Sequence, residues 1–553
     1  MFIGIGIFLP LLIYVWNNKR KELSSFYYQT KSITDNLVVF IFFAIIIFFY
    51  IFRCTESSLW YDEGIEYWVS KSLTGVAYGN GIKNLPNMYE RICATIQPPL
   101  YNFFMFVWLK IADTEFWFKF FGIVCFILGN FAFYCLCREV SSKLPSAVAT
   151  IAFALSGTFI SYAHEAAEYT CLFCFICWMM LFFFKSIKKF TWKNIVLYFV
   201  FATLSIYSQY GACFIILGTG AILFLRLFFV QNSETRNKNL IKFFACSVPT
   251  VLFFVLPLFI LFMKRQLFGH ISSQEHIFTL EHSNIVIDYL LGFLSTASFF
   301  FNKFLVILIC FMSFSVFVIS LLAKKKDEHL YYYTLAAVFI SWTAYYFAVR
   351  FDIYKTSYTF GFGNRWGMSF CALLGFYFAF SVFKFYEIIS AKENTKRITK
   401  CLVVIFSLFI CLYSIRNAIK FHSVKSYVRE AYNYLKENDD FEDFIFVEKW
   451  YQPTFAFYLE HDSDMDFKNL FYLKSHSEHE STLNIKNEFS QIFENGYPPK
   501  FILFCGDEPT NYDTTITVLD ELGYYKTKQI QFDESEFGDP TLLYFSKKKD
   551  GKL

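Results

Sequence analysis

Ser58-Leu59-Trp60-Tyr61-Asp62-Glu63-Gly64 stands directly after an apolar run at 37–52, and Ile96-Gln97-Pro98-Pro99-Leu100-Tyr101 follows before the next apolar run begins. Two adjacent carboxylates at the edge of a membrane segment ask for a reason, because ionisable groups there are costly unless they are used. The plain structural alternative is a helix N-terminus, where acidic side chains are mildly favourable.

The surroundings are those of a membrane protein. Of 553 residues, 56% are hydrophobic and only 17% are charged, with a mean hydropathy of +0.39, which is too apolar for a water-soluble domain. The chain therefore reads as a polytopic α-helical membrane protein. Its net charge of +4 is small, and its basic residues cluster between apolar runs without an aromatic-interleaved basic stripe, so nucleic acid is not an expected partner. Most of the 15 Cys lie inside apolar runs as small hydrophobes. The pairs Cys135/Cys137 and Cys174/Cys177 have no nearby His, which argues against metal or redox work, and Cys505 stands alone in the C-terminal tail, so no disulfide framework is implied. The stretch 3–16 lacks a basic region before it and a small-residue cleavage site after it; it reads as a short retained span.

At about 20 residues per crossing, spans fall near 37–52, 116–137, 146–162, 170–184, 194–209, 211–229, 243–263, 304–323, 331–349, 366–384 and 401–415, which with 3–16 makes about 12. Basic residues crowd 17–36, 138–145, 185–193, 226–242, 324–330 and 385–400, and the positive-inside rule puts those loops in the cytoplasm. The complementary loops then face outward, bringing Asp62, Glu63, Glu165, Glu168, Gln209 and Arg365 to one side. The apolar pieces 98–112 and 286–301 must lie on the outer face or re-enter, since a crossing by either breaks the alternation. Pro98-Pro99 suits a helix start. The expected organisation is a short span and basic loop over 1–36, a transmembrane region over 37–423 with outer loop 53–115, and a small extracytoplasmic α/β domain over 424–553. In that tail, Val424–Lys436 reads as an amphipathic helix, Phe444–Val447 and Phe501–Phe504 as buried strands, and Thr514–Leu522 as a helix with Asp513 as N-cap and Gly523 at its end. Tyr525–Phe532 and Leu542–Phe545 read as further strands. No Gly-rich phosphate loop follows the strand at 501–504, and His476 and His479 lie in a polar run that reads as a solvated loop.

Further polar stretches recur at span ends: Ala163-His164-Glu165-Ala166-Ala167-Glu168-Tyr169, Ser208-Gln209-Tyr210 and Asn364-Arg365-Trp366. Together with Trp60-Tyr61-Asp62-Glu63 and Pro98-Pro99-Leu100-Tyr101, in this order and on one face, they resemble the polyprenyl-phosphate-sugar-dependent glycosyltransferases of the C superfamily, in the branch that includes protein O-mannosyltransferases and aminoarabinose transferases. The resemblance covers about residues 37–415, and the tail is similar to that family's extracytoplasmic domain. Three positions depart from it: Ala167 stands where the family commonly has Arg, Lys119 where an Arg often follows the loop, and Gln209 in place of a frequent His.

The resemblance implies a glycosyltransferase-C fold and an enzyme that moves a sugar from a polyprenyl phosphate to a hydroxyl on a lipid, glycan or protein acceptor. The expected location is a bacterial cytoplasmic (inner) membrane, with the site facing outward. An acceptor hydroxyl is a poor nucleophile, and a carboxylate within hydrogen-bond reach can take its proton. Asp62 is the expected base, with Glu63 beside it disfavouring loss of both protons. Direct attack predicts inversion. Arg365 is the expected partner of the leaving phosphate, with Arg91 and Lys119 as helpers; its plain alternative is an interfacial anchor. Glu165 and Glu168 orient sugar, acceptor or a divalent cation, and Gln97, Tyr101 and Gln209 complete the expected binding set. No metal site is assigned: His164 has no spaced partner, while carboxylates and phosphate together leave a divalent cation open. Competing readings are a polymerase or ligase using diphosphate-linked saccharides, a divergent non-catalytic member, and a secondary transporter, against which the absence of internal repeats speaks.

Overall fold

The computed structural model describes residues 33–71, 88–95, 97–229, 233–266, 285–323, 329–350, 365–390, 393–420, 425–438, 444–448, 451–462, 470–473, 482–493, 498–506, 509–532 and 540–548. The expected span at 3–16, Asn364, His476 and His479 lie outside them.

The leading helices are α1 (Ile33–Ile51), α2 (Tyr61–Lys71), α3 (Met88–Ala94), α4 (Leu100–Trp108), α5 (Glu115–Arg138), α6 (Lys143–Ala154), α7 (Gly157–Ala163) and α8 (Tyr169–Lys188). Helices follow at Trp192–Ser208, Ala212–Phe229, Ser233–Gln266, Ile285–Phe300, Lys303–Ala323, His329–Arg350, Cys371–Ser390 and Glu393–Lys420. Among the described residues, five helices are long and apolar enough to cross a bilayer, and six if α6 and α7 count as one broken span. The chain is a multi-pass membrane protein.

α8 is apolar all round and buried on nearly every face, as befits the centre of a bundle. Phe173 stacks on Phe126 of α5 with ring centroids 4.2 Å apart. The outer helices instead expose large apolar side chains, among them Phe40, Phe253, Phe311 and Leu412, which is the surface lipid demands.

Two expected elements need correction. The span expected at 146–162 is broken, with α6 and α7 meeting at a bend of 70°. Ser156 makes the break by capping α7 through the Phe159 N–H, so α7 runs sideways and presents His164 and Glu165 at its end. The span expected at 243–263 belongs to a helix of 34 residues, Ser233–Gln266, which accommodates Pro249 and two π-helical turns.

In the tail the sheet has the order β2-β1-β3-β5-β4, with β1 Phe444–Val447, β2 Leu470–Tyr472, β3 Lys500–Cys505, β4 Tyr524–Gln531 and β5 Thr541–Lys547. β1 runs parallel to β2 and β3, while β5 is antiparallel to β3 and β4. The expected strands are present, and the helix at Val428–Glu437 matches the amphipathic stretch. The helix expected from 514 starts at Pro509, so Asp513 lies within it and is not its cap; Gly523, at φ +88°, does close it. Strand β2 and the helix Thr482–Ile492 were not anticipated.

Side-chain alternation splits the sheet between two cores. Phe446, Phe501, Leu503 and Phe545 pack under the helix Thr482–Ile492, whereas Ile445, Val447, Ile502 and Phe504 share a core with Leu59, Tyr67, Trp68 and Tyr101 of the loop expected over 53–115. The loop thus forms one wall of the sheet domain. Gly64 marks the closest approach: a Cβ there would lie 2.6 Å from Pro453 Cβ and 2.9 Å from Pro453 C, beside a bond from Trp68 Nε1 to the Pro453 carbonyl at 3.0 Å. We expect Gly64→Val to cost about 1–3 kcal/mol through overpacking, read as a lowered Tm and faster proteolysis of the tail. An unchanged Tm contradicts this packing.

A polar latch borders the same interface. Lys71 pairs with Asp113 at 2.8 Å and with Glu460 at 2.7 Å, and His461 Nε2 lies 3.3 Å from Asp113. Burial alone would raise the Asp113 carboxyl, but His461 and Lys71 outweigh it and hold it at about 2. Burial opposes the His461 charge and the bond to Asp113 overcomes it, so the imidazole titrates above its usual value. The His461 contribution is complete below the unfolded value of about 6.5 and is lost as pH rises through the raised folded value; the Asp113 contribution is lost as pH falls from about 4 toward 2. A Tm profile against pH should therefore decline on the alkaline side in wild type and flatten there in His461→Ala.

Candidate functional site

The segment leading to Asp62 is clamped from three directions. Ser58 N and Oγ donate to the Ser426 carbonyl at 3.2 and 2.6 Å, Leu59 N donates to the Tyr458 hydroxyl at 2.9 Å, and Lys119 Nζ donates to the Ser57 carbonyl at 2.6 Å. Helix α2 then starts at Tyr61. Glu63, its third residue, reaches back to the Trp60 N–H at 3.1 Å, and its other oxygen accepts the Ala166 N–H at 2.7 Å. This is the carboxylate half of a capping box, extended to the α7–α8 turn.

Consecutive helical residues diverge by about 100°, so the acidic pair divides. Glu63 is 1% exposed; burial raises its pKa, with Lys119 and Lys425 pulling it back. Asp62 is about a third exposed, and Arg365 Nη1 lies 2.6 Å from its Oδ2. The rise at Glu63 thus comes first from burial. Asp62 also acts on Glu66, one helical turn along: burial drives Glu66 up to about 8, with Asn102 lowering it and Asp62 adding to the rise.

Arg365 opens the 3-10 turn Arg365–Phe370 that leads into the helix Cys371–Ser390. Its guanidinium stands 5.4 Å from the Trp60 ring centroid and 6.0 Å from that of Tyr169, within cation–π range. Lys425 lies 5.7 Å from the same indole and 5.3 Å from Tyr162, and it forms an ion pair with Glu165. Two cation–carboxylate pairs thus share Trp60. Lys425 escaped the sequence reading, although a lysine just past the last span, on the side the positive-inside rule leaves poor in basic residues, was a usable signal. Glu168 occupies the N-cap position of α8 without a side-chain cap bond; burial and then Glu66 raise its pKa well above the usual range.

The remaining expected residues lie among bonds of the surrounding elements, Gln209 excepted. Arg91 is buried with Nη1 3.5 Å from the Trp68 carbonyl. Lys119, expected as a phosphate helper, is committed to Ser57 and to Glu115, 3.4 Å away, and Arg429 holds the same carboxylate at 3.1 Å. The Gln97 carbonyl accepts Gln266 Nε2 at 2.8 Å. The side-chain amide of Gln209 is buried without a hydrogen-bond partner among the described residues. None of these bonds is made to Asp62.

Beyond Glu63, an open cleft is lined by Phe49, Phe52, Arg53, Lys119, His164 and Lys425, among others. Burial, aided by Lys119, lowers His164 to about 4, leaving a neutral imidazole at pH 7. Among the described residues, no three His, Cys, Asp or Glu side chains converge on a point that would hold a metal. Asp62 and Glu165 are each matched by a cation.

The model of the dolichyl-phosphate-mannose-protein mannosyltransferase family matches residues 96–261. By structure, the chain is similar to the oligosaccharyltransferase AglB from Archaeoglobus fulgidus, solved with an inhibitory peptide and a dolichol-phosphate (TM-score 0.51, 12% identity, 91% of this chain and 73% of that one). It is also similar to ArnT from Cupriavidus metallidurans in the apo state (TM-score 0.51, 11% identity, 93% and 98%). The chain has the fold of the glycosyltransferase-C superfamily. No curated protein matches it by sequence.

Proposed function

We propose that this protein is an inverting membrane glycosyltransferase that moves a sugar from a polyprenyl phosphate to an acceptor hydroxyl at the extracytoplasmic face of a bacterial inner membrane. The observation that carries the proposal is the Asp62–Arg365 pair at 2.6 Å, where a carboxylate suited to take a proton meets a cation suited to take a phosphate, against an aromatic wall. The acceptor oxygen attacks the anomeric carbon, the bond from that carbon to the phosphate oxygen breaks, and the acceptor proton passes to Asp62. The electron pair leaves with the phosphate, whose charge Arg365 receives. The arriving donor phosphate competes with Asp62 for Arg365 and so frees the base. Glu63 positions α2, and Lys425 with Glu165 borders the site.

Region 37–423 carries this chemistry in our reading, and the sheet domain over 424–553 supports the loop that holds Asp62. Acceptors of the lipid, glycan and protein classes all offer the required hydroxyl. Lys425 gives the Trp60 wall a second cation, the feature that a diphosphate carrier would use. Purified protein is to be given a panel of polyprenyl-phosphate and polyprenyl-diphosphate sugars with membrane extract as acceptor source. Release of polyprenyl monophosphate is expected; release of diphosphate alone selects the second reading, and no release from any donor removes both.

A further inference from the structure

The transfer chemistry proposed above leaves a second acidic group unused. Glu66 lies on the same α2 face as Asp62, and its Oε2 accepts Asn102 Nδ2 of α4 at 2.5 Å. That amide also donates to Ser70 Oγ at 3.2 Å. Across from it, Glu168 and Tyr101 are 2% and 1% exposed. Three of the cluster's buried polar atoms have no hydrogen-bond partner among the described residues: Glu168 Oε1, the Tyr101 hydroxyl and Asn102 Oδ1. Buried polar atoms in proteins are normally satisfied, and a purely structural acid pair would be matched by a cation, whereas the Glu168 carboxyl is met by its own backbone N–H.

Resting on the transferase reading, we propose that Glu66, Glu168, Tyr101 and Asn102 form the subsite that reads hydroxyl groups on the sugar being transferred. The chemistry favours hydroxyls over a metal or an ammonium group. Burial, with each acid acting on its neighbours, raises both Glu66 and Glu168. A neutral carboxyl both donates and accepts, which matches a vicinal diol, whereas a cation needs ionised carboxylates. Asp62, Glu165 and Arg365 are the charged groups acting on the pair; the single cation among them is already bonded to Asp62.

A site built to bond a hydroxyl discriminates strongly against an analogue lacking it, because its buried groups are left unpaired. Saturation-transfer NMR of the detergent-solubilised full chain with methyl hexopyranosides and their monodeoxy counterparts reads this without turnover. Wild type is expected to give transfer that is lost on deoxygenation. Glu66→Ala combined with Glu168→Ala, which removes the donor and the acceptor of each carboxyl, should weaken it at least about tenfold, and Asp62→Asn should retain it. Tyr101→Phe removes one hydroxyl and is the control if the double variant fails to fold; about tenfold weakening is expected. With the donor found in the release assay, Tyr101→Phe should raise KM and leave kcat within about twofold. No transfer to wild type, or equal transfer to wild type and Tyr101→Phe, overturns the subsite whatever the release assay shows. Failure of release with NMR binding intact instead overturns the proposed reaction.

Discussion

Asp62→Asn is expected to lower polyprenyl-phosphate release by about 10²–10⁴-fold, the usual worth of a positioned general base, with little change in stability. The amide keeps the shape of the carboxylate and loses the ability to take a proton. Asp62 is about a third exposed, and its recorded polar partner is Arg365, so losing the pair should shift stability by no more than about 1 kcal/mol. Glu63→Ala provides the contrast. It strands the buried N–H groups of Trp60 and Ala166 at about 1–3 kcal/mol each, so its defect should appear first in Tm and only then in activity. A folded Asp62→Asn with wild-type release removes Asp62 as the base, and a fully stable Glu63→Ala removes the capping role of its neighbour.

The opposite fates of these two carboxylates mark the boundary of what the sequence makes legible. The acidic pair, the late Arg365 and their common face follow from charge placement and from the order of the motifs. The structure joins Asp62 and Arg365 across 303 positions of chain. Which acid is buried and which is exposed depended on a helix beginning at Tyr61 rather than a residue earlier or later, and such one-residue phases are where sequence reading is weakest. The break at Ser156 was hidden by an apolar run that continues through it, so hydropathy saw one span where capping chemistry makes two helices. Glu66 and Lys425 were passed over for a different reason. Each is unremarkable locally and gains meaning only from tertiary neighbours, Glu66 from Asn102 and Glu168, Lys425 from Trp60 and Glu165. In the tail, two continuous apolar runs and two strand-like stretches located four strands, but β2 is three residues long and half-buried, too short for a pattern to show.

Arg365→Ala should lower kcat by about 10²–10³-fold, the typical loss when one preorganised donor to a developing anion is removed, and should also weaken donor binding. Both effects follow from one geometry. In the free protein the guanidinium is held by Asp62 and flanked by Trp60 and Tyr169, so the cation is oriented before the donor arrives and little reorganisation is needed at the moment of bond cleavage. Arg365→Lys should recover only part of the rate, because an ammonium lacks the planar fork that grips two phosphate oxygens and lies flat on an aromatic wall. The decisive measurement is the double variant Asp62→Asn/Arg365→Ala. If the two residues act as one unit, passing Arg365 from the carboxylate to the phosphate as the base is released, the second substitution should cost far less than it does alone. Fully multiplicative losses would mean that base and cation work independently, and the exchange of partners at Arg365 would have to be abandoned.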